Sequence, residues 1–281
     1  MRLLVRASWQ PGPREDRPAL LIVHGLGGSD ASTYTVSLGR LAYARGFHVV
    51  RMNMRGCGDG EALCPLLYNA GLDTDLLAVV DELLRRVPRL AVVGFSLGAN
   101  LALLMLGRRR SVVPPGLFAG VAVSPPVDLS ACADAIRAPR NRLYEARFVR
   151  MLSQAYRRRA AARADLFPPG LERGLDSVRA FDDRITAPFG GFAGAADYYA
   201  QSSAGPWLAS IDRPTLMLAA ADDPMIPVAS VERWARSPRV ALEVTPTGGH
   251  VGFVGPSKAP GFFWAADRAM AFVEAATGPS I

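Results

Sequence analysis

The chain has 281 residues, half of them apolar, which is enough to bury the core of one large domain. Its formal charge is +7, but nearly all basic residues are arginine, with Lys258 the only lysine, and no nucleic-acid-binding motif accompanies them. Three cysteines without C-x-x-C spacing argue against a disulfide framework or a zinc site, and no apolar run is long enough for a membrane span or a signal peptide. We therefore expect a soluble cytoplasmic protein that binds neither nucleic acid nor metal.

Short apolar, β-branched runs recur along the chain and predict strands. Segments with helical spacing lie between several of them, and the helix predicted from Leu72 to Leu84 ends before Pro88, because proline cannot continue a helix. Strands that alternate with helices and are apolar on both faces are typical of a mostly parallel sheet covered on each side. The predicted strands are Leu20–Val23, His48–Met52, Leu90–Phe95, Gly120–Val123, Thr215–Leu218 and Val240–Val244.

The alternation fails between residues 128 and 207, where prolines, glycines and arginines interrupt short helical patterns. We interpret this segment as a helical cap inserted into an α/β core, so that residues 1–127 and 208–281 form the core and residues 128–207 the cap. The clearest cap helix runs from about Asn141 to Ala162, with an apolar stripe on one face and arginines mostly elsewhere. The stripe predicts an acyl-binding surface, and the basic face is a candidate for peripheral contact with an anionic membrane.

The most informative motif is G-x-S-x-G, formed by Gly94, Ser96 and Gly98 between a predicted strand and an apolar helix. A serine at such a sharp turn has a strained backbone, and the glycines remove side chains that would collide there. The helix N-terminus adds N–H groups that stabilise the negative charge developing on attack. Ser96 is therefore the predicted nucleophile, and the Leu97 N–H is a predicted oxyanion-hole donor. The alternative is an ordinary tight turn in which the serine caps the helix.

A glycine-rich loop follows the first predicted strand and contains His24-Gly-Leu-Gly-Gly28. In folds with this nucleophile motif the second oxyanion donor comes from such a loop, and the Leu26 N–H is the candidate, because the glycines let the backbone approach a substrate. The alternative is a plain glycine-rich turn. The dinucleotide-binding spacing G-x-G-x-x-G is absent, so we predict no nucleotide cofactor.

A serine hydroxyl needs a base, and the chain has three histidines. His24 belongs to the oxyanion loop and His48 opens a strand, and both precede the serine, contrary to the order serine, acid, histidine. His250, in a glycine-rich turn after the last predicted strand, is therefore the predicted base. Asp222 and Asp223 both follow the strand that begins at Thr215 and could hold the imidazole. We favour Asp223 because a proline and an apolar turn follow it, and Asp222 stays as the alternative.

The motifs that carry a family resemblance are His24-Gly-Leu-Gly-Gly-Ser29, Arg55-Gly-Cys57, Tyr68-x-x-Gly71-x-x-x-Asp75, Gly94-Phe-Ser-Leu-Gly-Ala-Asn100, Phe181-Asp-Asp-Arg-Ile-Thr-Ala-Pro188, Asp197-Tyr-Tyr199 and Gly248-Gly-His-Val-Gly-Phe253. With them the chain resembles the YheT-like α/β-hydrolases, a family that includes mammalian ABHD relatives and yeast medium-chain ethyl ester synthases. The resemblance spans nearly the whole chain. It implies an α/β-hydrolase fold, activity as an esterase, lipase, phospholipase or acyl-alcohol transferase, and Ser96, Asp223 and His250 in the matching positions.

The sequence departs from that family in two places, and two of its segments have open roles. The first 19 residues leave room for one antiparallel hairpin, and Asn69-Ala70 stands where the resemblance leads us to expect histidine and serine. We expect the segment from Phe181 to Arg184 to organise the cap by buried ion pairing, with positioning of a substrate headgroup as the alternative. Cys57 is expected to be a packed thiol, since no neighbour in sequence would lower its pKa.

We predict a serine esterase that transfers the acyl group of a carboxylic ester in two steps. Ser96 attacks the carbonyl carbon, and His250 carries the proton with Asp223 behind it. The N–H groups of Leu26 and Leu97 hold the oxyanion. This chemistry needs no metal or organic cofactor, and the expected partner is a small-molecule ester with a short- to medium-chain or lipid-like acyl group.

Two alternatives to ester hydrolysis stay open. In the first, the same residues transfer an acyl group from acyl-CoA to an alcohol. In the second, the protein is not a catalyst and binds an acylated ligand or an anionic membrane surface. The sequence patterns leave the oligomeric state open.

Overall fold

A computed structural model describes residues 2–64, 66–235, 237–261 and 263–277. Its central sheet contains β1 (Val5–Ser8), β2 (Ala19–Val23), β3 (His48–Met52), β4 (Leu90–Phe95), β5 (Leu117–Val123), β6 (Thr215–Ala220) and β7 (Val240–Thr245). The order across the sheet is β1-β3-β2-β4-β5-β6-β7, and every pairing is parallel except that of β1 with β3. The strands predicted from sequence are β2 to β7, and the expected mostly parallel α/β fold is confirmed.

The antiparallel edge of the sheet differs from the expected hairpin. β1 pairs with β3, with Val5 opposite Met52, and not with the next strand along the chain. β2 already lies between β3 and β4 and has no free edge, so the strand from the first 19 residues joins the sheet at an edge, beside β3. A single strand, rather than a hairpin, therefore forms this edge.

Helices cover both faces of the sheet. The helices of the described chain are α1 (Thr33–Ala44), α2 (Asp73–Leu84), α3 (Leu97–Arg108), α4 (Leu129–Arg137), α5 (Arg142–Ala162), α6 (Val178–Phe181), α7 (Ala187–Gly190), α8 (Ala195–Ser202), α9 (Val228–Glu232) and α10 (Trp264–Ala276). Helices α1 and α10 lie on one face of the sheet, and α2 and α3 lie on the other. Side chains of β2 alternate between the two layers. Leu20 and Ile22 pack with the layer of α1 and α10, whereas Leu21 and Val23 pack with the layer of α2 and α3. Every residue of β2 is buried, as a strand covered on both faces requires.

Between β5 and β6 the chain forms α4 to α8 and, among the residues described there, no strand. α5 matches the long cap helix predicted from sequence to within one residue. A separate apolar core joins α5 to α6 and the turn after it, and consists of Tyr156, Ala160, Phe167, Phe181 and Ile185. The buried apolar residues of α4, α7 and α8 belong instead to the main core under the sheet. A π-helical turn at Asp182–Thr186 connects α6 to α7. None of the described helices is both long enough and apolar enough to cross a membrane.

Candidate active site

Ser96 occupies the sharp turn between β4 and α3, and its backbone has φ 51° and ψ −119°. Positive φ is unfavourable for serine, so the surrounding structure must hold it, and the Ser96 N–H donates to the Val123 carbonyl at 2.8 Å. A Cβ at Gly94 would lie within 3.0 Å of the main chain of Gly98. A Cβ at Gly98 would lie equally close to the carbonyl oxygen of His24. The two glycines of the motif are therefore required for strand, turn and helix to meet.

The structure brings Ser96, His250 and Asp223 into one hydrogen-bonded line. His250 Nε2 lies 2.7 Å from Ser96 Oγ, and His250 Nδ1 lies 2.9 Å from Asp223 Oδ2. The Asp223 side chain is 2% exposed, and its other oxygen accepts hydrogen bonds from the main-chain N–H groups of Met225 and Ile226. With Nδ1–H donated to the carboxylate, Nε2 is free to accept the serine proton.

The neighbouring carboxylate, Asp222, has a different place. Its Oδ1 accepts hydrogen bonds from the N–H groups of Gly248 (2.8 Å) and Gly249 (2.9 Å). These glycines immediately precede His250, and Gly249 has φ +60°, which glycine adopts without strain. Of the two acids left open by the sequence, Asp223 contacts the imidazole, and Asp222 holds the loop that carries it.

Sequence reasoning missed Ser124, which directly follows β5. Its hydroxyl donates a hydrogen bond to the carbonyl of His250, and its N–H donates to the Leu218 carbonyl at 2.8 Å. Ser124 is fully buried and has φ 48°, a second strained serine at the end of a strand. The only signal in the sequence was its position at the end of a predicted strand, which does not identify a partner far along the chain.

The loop after β2 brings Leu26 to the cavity that contains the serine. Leu26, Leu97 and Ser96 all line this cavity. Within the described part of the chain, neither the Leu26 N–H nor the Leu97 N–H donates a hydrogen bond to another protein group. The Gly27 N–H, by contrast, donates to the Tyr68 hydroxyl at 3.0 Å. The loop is thus fixed by its neighbours, while the two candidate oxyanion donors stay available to a ligand.

The remaining two histidines have other partners. His24 is fully buried, with Nδ1 2.7 Å from the Gly25 carbonyl and Nε2 accepting the Met54 N–H at 3.1 Å. Burial lowers the pKa of His24 to about 4, so the ring is neutral at physiological pH. His48 Nδ1 accepts the N–H of Gln10 at 2.9 Å. Both rings therefore have structural contacts away from the serine hydroxyl.

A cavity of about 250 Å³ lies between the serine and the cap. The apolar stripe of α5 contributes Phe148, Met151 and Leu152 to its wall, and α4 contributes Leu129 and Ile136. A pocket with mostly apolar walls and a few polar groups is typical of a small-molecule site. The polar groups that line the cavity include Asp182, Tyr198 and Tyr199 of the cap, and Tyr68 from the loop before α2.

In the part of the chain that the structure describes, the buried ion pairing expected for the segment from Phe181 to Arg184 does not form. Asp182 accepts the hydroxyl hydrogen of Tyr199 at 2.7 Å, whereas Arg184 donates to the main-chain carbonyl of Arg173 at 3.0 Å. Residues two apart on a helical turn point to different sides, which explains why the carboxylate and the guanidinium do not meet. Asp183 accepts the Ala195 N–H at 2.9 Å and so fixes the start of α8.

Cys57 and the acidic side chains do not suggest a second reactive centre. Burial raises the pKa of the Cys57 thiol to about 12, so the nucleophilic thiolate is scarce at neutral pH. In the described ranges, no group of three or more His, Cys, Asp or Glu side chains is placed to hold a metal ion.

Arg55 and Asp75 form a bidentate ion pair at 2.6 and 2.7 Å, which connects two of the family motifs.

The parallel sheet, the serine elbow and the histidine after the last strand define an α/β-hydrolase. In agreement, a family model described as alpha/beta hydrolase fold matches residues 18–255, and the chain belongs to that family. Within it the chain belongs to the YheT-like group. It is 34% identical over 253 residues to the YheT protein of Escherichia coli (strain K12), and the match covers 88% of this chain and 74% of that protein.

Eukaryotic relatives are longer than this chain. A monoacylglycerol lipase of Saccharomyces cerevisiae is 30% identical over 251 residues, which are 84% of this chain and 55% of that protein. Phospholipase ABHD3 of Mus musculus is 31% identical over 244 residues, which are 85% of this chain and 59% of that protein. The chain therefore spans little more than half the length of these two relatives.

Solved structures agree with the fold. Esterase Pf2001 of Pyrococcus furiosus has a TM-score of 0.60 and 19% identity, with 94% of this chain and 83% of that chain covered. Est1E of Butyrivibrio proteoclasticus has a TM-score of 0.59 and 16% identity, with 98% and 94% covered. At these identities the likeness concerns the fold alone.

Proposed function

We propose that this protein hydrolyses carboxylic esters through an acyl-serine intermediate, with Ser96 as the nucleophile. The observation that carries the proposal is the hydrogen-bonded line from Asp223 through His250 to Ser96 Oγ, with distances of 2.9 and 2.7 Å, at a strained strand-to-helix turn. A serine with an ordinary structural role does not need an imidazole backed by a buried carboxylate.

The first half of the reaction forms the acyl-serine bond. Ser96 Oγ attacks the carbonyl carbon as its proton passes to His250 Nε2, and Asp223 stabilises the resulting imidazolium. The negative charge on the carbonyl oxygen is stabilised by the N–H groups of Leu26 and Leu97. The bond to the alcohol oxygen then breaks, and His250 gives its proton to the departing alcohol.

The second half of the reaction releases the acid. Water attacks the acyl carbon while His250 accepts one of its protons, and the tetrahedral intermediate is stabilised by the same N–H groups. When the carbon–Oγ bond breaks, the proton returns to Ser96 and the free enzyme is restored. These steps need Ser96, His250, Asp223, the two main-chain N–H groups and one water molecule.

The broad class of this enzyme, a carboxylic ester hydrolase, agrees with its fold and with the names of its lipase and phospholipase relatives. The finer proposal concerns the acyl group. Because Leu129, Phe148 and Leu152 line the cavity, we propose that the acyl chain is short, medium-length or lipid-like rather than charged.

Labelling with a fluorophosphonate probe tests the nucleophile directly. We expect the purified protein to be labelled and to hydrolyse a p-nitrophenyl ester series, and Ser96→Ala to lose both properties. Ser111→Ala is the matched control, since Ser111 is exposed and lies beyond the end of α3. Undiminished labelling or hydrolysis in Ser96→Ala would contradict the proposal. Product analysis with added ethanol separates hydrolysis from acyl transfer to an alcohol.

A further inference from the structure

A group of polar side chains interrupts the apolar wall of the cavity on the side of α8 and the π-helical turn. The hydroxyl of Tyr199 donates to Asp182 Oδ2 at 2.7 Å, and Thr186 also hydrogen-bonds to this carboxyl. Tyr68 and Tyr198 complete the group, and all these residues line the cavity that contains Ser96. Single-turn π-helices often occur at functional sites, and Asp182 begins this one.

The hydroxyls of Tyr68 and Tyr198 keep their hydrogen atoms available. Tyr68 accepts the Gly27 N–H at 3.0 Å, and Tyr198 accepts the Ala70 N–H at 2.9 Å. Across the described ranges, neither hydroxyl donates to a protein acceptor. Tyr198 is only 5% exposed, and a buried hydroxyl normally finds an acceptor. The cavity therefore offers two unused donors fixed by main-chain contacts.

Asp182 supplies acceptor capacity beside these donors. In the part of the chain that is described, its carboxylate forms no ion pair, and the guanidinium of Arg179 binds Asp134 at 2.7 Å instead. A carboxylate can accept about four hydrogen bonds, so those from Tyr199 and Thr186 leave room for another. A buried acid is costly unless its oxygens are well partnered, and the acceptor capacity that remains favours a ligand group as a further partner.

We propose that Asp182, Tyr68 and Tyr198 form a polar subsite that binds a hydroxyl group on the alcohol part of the ester. The inference rests on the ester hydrolysis proposed above. A hydroxyl group matches the subsite because it donates to the carboxylate and accepts from a tyrosine. A cationic group would pair with the carboxylate but could not accept a hydrogen bond from either tyrosine hydroxyl. The apolar wall of α4 and α5 takes the acyl chain, which leaves the polar wall for the alcohol.

The test compares two esters with the same acyl group and a three-carbon alcohol, glyceryl monobutyrate and n-propyl butyrate. The measured quantity is the ratio of their kcat/KM values. A hydrogen bond to a charged group changes affinity by roughly 10- to 100-fold, so we expect a wild-type ratio of about ten or more. Asp182→Asn should lower the ratio about tenfold. Tyr198→Phe, which removes one donor, should lower it severalfold.

Both esters are measured on one preparation, so any loss of folded enzyme cancels from the ratio. Asp165→Asn is the matched control, because Asp165 is an exposed cap residue paired with Arg163, and it should keep the wild-type ratio. A wild-type ratio of one or less overturns the subsite, as does an unchanged ratio in Asp182→Asn. Hydrolysis of both esters by Ser96→Ala would instead contradict the proposed nucleophile.

A pH profile of the same ratio gives a readout that a structural role would not change. Burial raises the pKa of Asp182 to about 6, and neighbouring hydroxyls and the charge of Arg179 only partly oppose this. A neutral carboxyl is a weaker acceptor, so the ratio should fall from pH 7 to pH 5 in the wild type and stay flat in Asp182→Asn. His250 acts on both esters, so its protonation cancels. The charged or titratable groups beside this carboxyl are Arg179, Tyr68, Tyr198 and Tyr199.

Discussion

Replacing His24 with glutamine should make the protein less sensitive to acid. The imidazole is fully buried and connects the oxyanion loop to the end of β3, through the Gly25 carbonyl and the Met54 N–H. Only the neutral ring can accept the Met54 N–H, and burial disfavours the charged ring. The folded protein therefore resists protonation of His24, and the unfolded chain does not.

The size of the effect follows from the two pKa values. In the folded protein burial lowers the pKa of His24 to about 4, against 6.5 for an unperturbed histidine. Above pH 6.5 the ring is neutral in both states and the wild type is at full stability. As the pH falls toward 4 only the unfolded chain takes up the proton, which lowers the free energy of unfolding by about 3 kcal/mol. Glutamine cannot take up a proton, so the variant does not lose this part of its free energy of unfolding as the pH falls.

Urea unfolding at pH 7.5 and pH 4.5 measures this difference. Asp182 has a raised pKa and acts in the opposite direction below pH 6, so the wild type alone cannot isolate His24. The comparison with His24→Gln removes that contribution. We expect the stability advantage of the wild type to shrink by about 2 to 3 kcal/mol between the two pH values. An advantage of the same size at both pH values would refute the reasoning.

Further variants test the residues around the serine. Asp223→Asn should lower kcat by on the order of 10³- to 10⁴-fold, because the imidazolium loses its carboxylate, and a loss below tenfold would contradict that role. Asp222→Asn should lose far less in the same assay, since an amide oxygen still accepts the two glycine N–H groups. Ser124→Ala should lower kcat about tenfold by freeing the His250 carbonyl, with little change in KM; unchanged kcat would make the contact merely structural. Gly98→Ala should lower the thermal midpoint, because its Cβ would meet main-chain oxygens; an unchanged midpoint would refute the close approach.

The sequence predicted what depends on local patterns. Apolar runs gave β2 to β7, although β5 begins at Leu117, three residues before the predicted strand. The elbow was predictable because Gly94 and Gly98 meet main-chain atoms that any strand-to-helix turn places there. The order of serine, acid and histidine then reduced the choice of base to His250.

What the sequence did not predict depends on contacts between distant segments. Ser124 and His250 are 126 residues apart, and nothing near either residue indicates that they meet. The different places of Asp222 and Asp223 follow from the position of the last loop, which a pattern of adjacent acids cannot give. The partner of Asp182 is the Tyr199 hydroxyl on α8, whereas the sequence led us to expect buried ion pairing in this segment.

The helix that begins after Ser96 also fixes the cavity wall opposite it. Asn100, fully buried on α3, donates to the carbonyls of Ala70 (3.2 Å) and Ser202 (2.8 Å) and accepts an N–H from the main chain after α8. The Ala70 N–H in turn donates to the Tyr198 hydroxyl. A neutral side chain with two N–H donors and an acceptor can make all three contacts at once, and only an amide has this set. One buried amide thus holds the helix that follows the nucleophile and the polar wall of the cavity in a fixed relation.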